Sequence, residues 1–191
     1  MTAHGTRVDG RLSAANAARD QGPRDAPARV VGLYTAPRAG APMEARAQIE
    51  VVRGSGVGGD RYAAHLGHWS DPRWPDQDLT LVEAEVADAL GYDAGTLRRN
   101  VATCGVRLDD LIARTFQIGN VVLVGVRRCD PCRYLDSLTR PGMARALAGR
   151  GGLRTRILDG GTIRVGDRIT TISAPAAPES ADRISSSPAT P

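Results

Sequence analysis

Residues 116–135 read FQIGNVVLVGVRRCDPCRYL, and the fold class follows from this stretch. Val121-Val122-Leu123-Val124-Gly125-Val126 is an apolar run dominated by β-branched residues, so it predicts a strand. Gly119-Asn120 before it is a two-residue hairpin signal, which places a partner strand over Thr115–Ile118. The run ends in Arg127 and Arg128, and Cys129-Asp130-Pro131-Cys132 follows at once. A strand therefore delivers two thiols and two cations to its own end. Fixed positive charge beside a thiol favours thiolate, the better nucleophile and metal ligand. Asp130 works against that effect.

Other strands read outward from this hairpin. ARVVGLYTAP, from Ala28 to Pro37, is an extended run stopped by proline. AQIEVV, from Ala47 to Val52, alternates as a half-buried strand does. DLTLVEAEVADAL, from Asp78 to Leu90, begins as a strand; Glu83 then opens an amphipathic helix with Val86 and Leu90 on one face. Arg154 to Thr171 reads as two strands around Asp159-Gly160-Gly161. Helices are few: a short one at Asp109–Ala113 and another at Pro141–Ala148, with proline in its first turn. Many short strands with few helices predict a β-rich, mixed α+β barrel-like domain with small helical insertions. The domain spans 28–173. A polar lead, 1–27, and a Pro-, Ala- and Ser-rich tail, 174–191, are expected to be disordered.

Composition narrows the function. All 25 basic positions are arginine, against 21 acidic residues spread among them. Aromatics make up only 4% of the chain, so the basic–aromatic interleaving of a nucleic-acid binder is missing and no nucleic-acid partner is expected. No apolar run reaches membrane-spanning length, and the first residues carry no secretory apolar core. Three cysteines do not make a disulfide scaffold, so a reducing cytoplasm is the expected compartment.

Several residues are candidates for chemistry. RGSGVGGDRY, from Arg53 to Tyr62, holds four glycines in six residues. It matches neither a P-loop nor a dinucleotide fingerprint, and a tight turn is the simpler reading. His65 and His68 lie in a loop with Trp69 and Trp74 and read as ordinary surface histidines. Glu83 and Glu85 do not face each other on a helix and read as solvated charges. Arg98, Arg99 and Asn100 precede an apolar segment; if that segment is extended, the two arginines point to opposite sides, and Arg98 shares a side with Asn100. The Cys-x-x-Cys of 129–132 permits a thioredoxin-like dithiol, but the surrounding chain lacks the βαβ pattern. A zinc site needs two further ligands, and Cys104 with His65 or His68 is a loose set. Cys104 alone reads as core.

Taken in order, VGLYTAPRAGAPM, GVGGDRYA, LTLVEAEV, RRNVATCGVRLDDLI, TFQIGNVVLVGVRRCDPCRYL, GRGGLRTRIL and GTIRVGDRI resemble the MOSC domain, the C-terminal domain of molybdenum cofactor sulfurases. The match runs from about Ala28 to Ile172 and is nearest to small stand-alone bacterial members. The resemblance implies a barrel related to the β-barrel domain of pyruvate kinase. It also implies a molybdenum cofactor (molybdopterin) whose metal is held by Cys132, the family's cysteine. Asn100 and one arginine of Arg98 and Arg99 match the part that holds the pterin phosphate; Arg98 is favoured. Gly59, Asp60 and Arg61 match another recurrent motif of the site. Related members reduce N-hydroxylated substrates with electrons from an external donor protein. The alternative it leaves open is a sulfur or cofactor carrier, with a persulfide or cofactor on Cys132 and a sulfur donor as partner. The family's two-domain reductases carry an extra N-terminal region for which 191 residues leave no room.

Overall fold

A computed structural model describes residues 27–71, 73 and 78–172. The disordered ends expected at 1–27 and 174–191 fall outside those residues, Pro27 apart, and so does Trp74. Eleven strands form among the described residues: β1 (Arg29–Thr35), β2 (Glu44–Ala45), β3 (Gln48–Val52), β4 (Gly56–Val57), β5 (Leu79–Glu83), β6 (Val101–Cys104), β7 (Thr115–Ile118), β8 (Val121–Arg128), β9 (Leu153–Asp159), β10 (Gly161–Arg164) and β11 (Ile169–Thr171). Three short helices join them: α1 (Ala84–Ala89), α2 (Arg133–Leu138) and α3 (Met143–Ala146). Single 3-10 turns lie at Ala94–Leu97 and Leu108–Leu111.

Eight strands form one mixed sheet in the order β11-β7-β8-β9-β5-β6-β1-β2, and β10-β3-β4 form a second. The large sheet curls enough to bring the start of β1 beside β11. Arg29 bridges Arg168 just before β11, Val30 N–H donates to the Asp167 carbonyl at 2.9 Å, and Ile169 N–H donates to the Ala28 carbonyl at 2.9 Å. The β-rich expectation with small helices is met. The 154–171 region holds three strands, not two: the chain leaves β9 at Gly160, and β10 pairs with β3 of the small sheet.

Burial follows strand periodicity. β3, β7 and β9 bury alternate residues, as expected for sheets with one face inward. β5 is different, because Leu79 through Val82 are all buried. Leu79 and Leu81 belong to the main aliphatic core with Phe116, Leu123 and Ile157. Val82 faces a second cluster built from Val86, Leu97, Leu135, Met143 and Leu147. Its parallel neighbour β6 divides the same way, Val101 inward and Ala102 outward. A parallel pair requires a crossover, and α1 with the first 3-10 turn supplies it. β5 and β6 thus form a wall between two cores, and the helical layer rests on that wall.

β8 and β9 are joined by an excursion that contains α2 and α3. Their ladder reaches Arg128 opposite Leu153, and Cys129 N–H then donates to the Gly152 carbonyl at 2.7 Å. The excursion therefore starts and ends at one point, which brings the CDPC stretch against the Gly149–Gly152 stretch.

Candidate functional site

The turn after β4 builds one side of the site. Gly59 is exposed and left-handed (φ 71°), so it reverses the chain and leads Asp60 inward. Asp60 is 2% exposed and fully engaged. It accepts hydrogen bonds from Ala36 N (3.1 Å), Tyr62 N (3.1 Å) and Arg61 Nη1 (2.9 Å). Arg61 is held in turn: Nη2 donates to the Arg98 carbonyl at 3.2 Å, and its guanidinium stands over the Tyr62 ring at 4.8 Å. Burial pushes the Tyr62 phenol upward, so the ring carries a neutral hydroxyl.

Arg98 and Arg99 do not lie on an extended segment, which corrects the alternation expected for them. Arg98 closes the 3-10 turn of Ala94–Leu97 in the left-handed region (φ 62°, ψ 34°), a strained conformation for a residue with a Cβ. Both guanidiniums line the same cleft. Arg99 is anchored by three carbonyls: Nε to Gly151 (2.8 Å), Nη1 to Leu97 (3.0 Å) and Nη2 to Cys129 (3.0 Å). Arg98 Nη1 donates to the Ala41 carbonyl at 2.8 Å, while its Nη2 is buried with no partner. Burial, and then the neighbouring Arg61, holds the Arg98 guanidinium below its ordinary value. That value is so high that it stays charged. A buried donor on a charged group without an acceptor is costly, so this atom marks where an anion would be accepted.

Asn100, 1% exposed, is engaged within the protein. Its Oδ1 accepts from Thr80 Oγ1 (2.9 Å) and Thr80 N (3.3 Å), and its Nδ2 donates to the Tyr34 carbonyl at 3.3 Å. The side chain ties β1, β5 and β6 together behind the cleft.

Cys129 and Cys132 both line the cleft. Cys129 is 3% exposed and continues the β8–β9 ladder; Cys132 is half-buried at the N-cap of α2, where its side chain makes no capping bond. Gly151 packs so tightly here that a Cβ would overlap the Cys129 carbonyl oxygen and approach Pro131 Cδ to 2.9 Å. The buried Thr80 and Leu135 also line the cleft, together with Tyr62, Trp69 and Tyr134. His68 stacks on Tyr134, with ring centroids 3.8 Å apart and planes 7° apart, and meets Trp69 edge-on at 4.9 Å. The cleft is open to solvent, and its cavity volume is about 60 Å³. Arg61, Arg98, Arg99 and Arg154 line it, against Asp130 on its rim and Asp60 behind its wall.

Several sequence readings change here. Arg128 turns away from the thiols and pairs with Asp109 on the surface through bonds of 2.7 and 2.9 Å. The cations that surround the cleft come instead from the 61, 98–99 and 154 positions. Glu83 and Glu85 are not merely solvated: they accept from Leu108 N (2.8 Å) and Gly105 N (2.9 Å). Among the described residues no three His, Cys, Asp or Glu side chains gather as a metal-binding group, so the four-ligand zinc arrangement is not assembled. Sequence reasoning passed over Tyr62, Trp69, Tyr134 and Arg154. Tyr62 follows the singled-out Gly59-Asp60-Arg61, and Arg154 follows the second glycine-rich loop, so adjacency was the available signal.

Among the described residues no helix is long and apolar enough to cross a membrane. The MOSC domain profile matches residues 64–170, more than half of the chain. The structure is similar to that of the YuaD protein from Bacillus subtilis, with a TM-score of 0.61 at 21% identity, over 76% of this chain and 96% of that one. It is also similar to YiiM from Geobacillus stearothermophilus, with a TM-score of 0.61 at 15% identity, over 77% of this chain and 76% of that one. YiiM from Escherichia coli gives a TM-score of 0.57 at 14% identity, over 78% and 72%. At these identities the likeness is one of fold. No curated protein matches the sequence.

Proposed function

The chain belongs to the MOSC domain family, which is associated with molybdenum cofactor binding, and on that premise we propose that it holds this cofactor in the cleft, with the metal on Cys132. The observation that carries the reading is Arg98 Nη2, a buried and unpartnered cationic donor in the cleft that also contains Cys132. The donor set fits the group: a thiol is a soft ligand suited to molybdenum, and guanidiniums suit a phosphate.

In this reading Arg98 receives the phosphate, and Arg99, fixed by three carbonyls, adds charge without moving. Arg61 buttresses Arg98 through its carbonyl, and Asp60 fixes Arg61. Gly59 sets the turn that leads to Asp60, and Asn100 keeps the strands behind the cleft in register. The bound cofactor supplies two-electron chemistry at a thiolate-held metal. The activity we assign is reduction of small N-hydroxylated or N-oxide-type substrates, with electrons from an external donor protein. Tyr62, Trp69 and Tyr134 give the cleft its aromatic lining.

The test is metal analysis with pterin fluorescence on protein made in a host that synthesises the cofactor. Near-stoichiometric molybdenum and pterin, lost in Cys132→Ala, support the reading. Bound sulfane sulfur without molybdenum would replace it with a sulfur carrier.

A further inference from the structure

Cys129 has no part in the function assigned above, yet it is a buried thiol in the same cleft as Cys132. We infer that Cys129 is the resolving thiol of Cys132, so that peroxide converts the pair into a reversible disulfide across the CDPC turn.

Three observations carry this. First, the thiols differ in access. Cys132 is half-buried and faces an open cleft, whereas Cys129 is 3% exposed, so a small oxidant in the cleft meets Cys132 first. Second, they differ in freedom. Cys129 is pinned on both sides of its backbone, by its N–H to Gly152 O (2.7 Å) and by Arg99 Nη2 on its carbonyl (3.0 Å). Cys132 stands at a helix boundary, is only half-buried, and its side chain makes no capping bond. Third, the spacing is that of Cys-x-x-Cys pairs, in which a second thiol stands ready beside the first. Cys104, the remaining free cysteine, lies at the end of β6, opposite Arg29.

The chemistry balances with hydrogen peroxide as oxidant. The Cys132 sulfur takes one oxygen and loses two electrons, giving a sulfenic acid and one water. The Cys129 sulfur then attacks the sulfenic sulfur. The S–S bond forms, the S–O bond breaks, and the departing hydroxide leaves with the Cys129 proton as a second water. Dithiothreitol reverses the disulfide, whereas sulfinic acid would not revert. Because the same sulfur is assigned to the metal, disulfide formation and metal loading exclude one another. The thiol chemistry itself requires no cofactor and stands or falls apart from that assignment.

The experiment treats the reduced full chain, free of metal, with equimolar hydrogen peroxide, alkylates it under denaturing conditions and digests it with trypsin. Arg128 and Arg133 flank the pair, so both thiols leave in one peptide, 129–133. The expected product is that peptide unalkylated and lighter by two hydrogens, returning to the doubly alkylated form after dithiothreitol. In Cys129→Ala given two equivalents of peroxide, Cys132 should proceed through the sulfenic to the sulfinic acid, taking one oxygen and releasing one water for each peroxide consumed. Wild-type peptide with oxidised Cys132 and an alkylatable Cys129 would overturn the proposal, and so would a disulfide to Cys104. The wild-type result decides the question even if the variant folds poorly. The metal analysis above is a separate readout, so failure of one inference is not failure of the other.

Discussion

Arg99 Nη2 donates to the carbonyl of Cys129 at 3.0 Å, across 30 residues of sequence. The same guanidinium reaches Gly151 and Leu97, so one buried cation joins the arginine turn, the cysteine turn and the second glycine loop. Its neighbour Arg98 donates from Nη1 to the Ala41 carbonyl and leaves Nη2 without a partner. Two adjacent arginines thus differ, in that all the guanidinium nitrogens of one are engaged by carbonyls while the other keeps a buried nitrogen without a partner.

Arg99→Ala should therefore unfold more easily. It leaves buried carbonyls without donors, at a cost of about 2–4 kcal/mol. The melting temperature should fall by roughly 5–10 °C for a chain of this size. Arg98→Ala should melt within about 3 °C of wild type, because it also removes an unsatisfied donor. Its effect should appear in cofactor binding, weakened about tenfold or more. Paired thermal melts and cofactor titrations check this; the reverse pattern would mean the two roles are exchanged.

Asn100 and Thr80 should behave as one unit. Asn100→Leu strands polar groups of β1 and β5 and should cost roughly 2–3 kcal/mol by urea denaturation. Adding Thr80→Val should cost less than the sum of the two single changes, since the partners disappear together. Strict additivity would show that the bonds between them contribute little.

Gly151→Ala tests the packing of the cysteine turn. The new methyl meets the Cys129 carbonyl and Pro131, and overpacking of this kind costs about 1–3 kcal/mol. Gly149→Ala is the control for a different cause. It has open space around it but a left-handed backbone (φ 74°), so about 1 kcal/mol is expected from strain alone. Thermal melts rank the two; a milder Gly151→Ala would contradict the close approach.

Glu83 gives the fold a pH dependence of known sign. Burial raises its carboxyl above the ordinary value of 4.5, although the Leu108 amide opposes this. The folded state then holds the proton more tightly than the unfolded chain. Its contribution is complete below the ordinary value and is lost as pH rises through the folded one. Glu83→Gln removes that titration, so the stability difference, wild type minus variant, should decline with rising pH above 4.5. Urea denaturation across that range measures it, and a difference that grows with pH would have the wrong sign.

How far the sequence could be read depends on which signals are local. The β7–β8 hairpin was legible because Gly119-Asn120 and the β-branched run are both short-range. The clustering of Cys129 and Cys132 at the end of that strand was legible for the same reason. The arginine turn was not: a 3-10 turn ending in a left-handed residue has no hydrophobic period, and Thr96–Val101 resembles a strand in composition. α2 escaped because a helix of six residues, with only Leu135 buried, shows no repeat. The cleft's aromatics escaped because Tyr62, Trp69 and Tyr134 lie far apart in sequence and converge only in the folded chain.

The bond from Cys129 N–H to the Gly152 carbonyl also sets how this scaffold tolerates change. It makes the 130–151 segment a closed appendix whose length is independent of strand register. Doubling such a loop costs only about 0.6 kcal/mol in closure entropy, whereas slipping a strand by one residue would turn its whole inner face outward. Changes of length inside the appendix, away from Cys132, the Gly151 carbonyl and the buried Leu135, Met143 and Leu147, can therefore alter the wall of the cleft without disturbing the β8–β9 register.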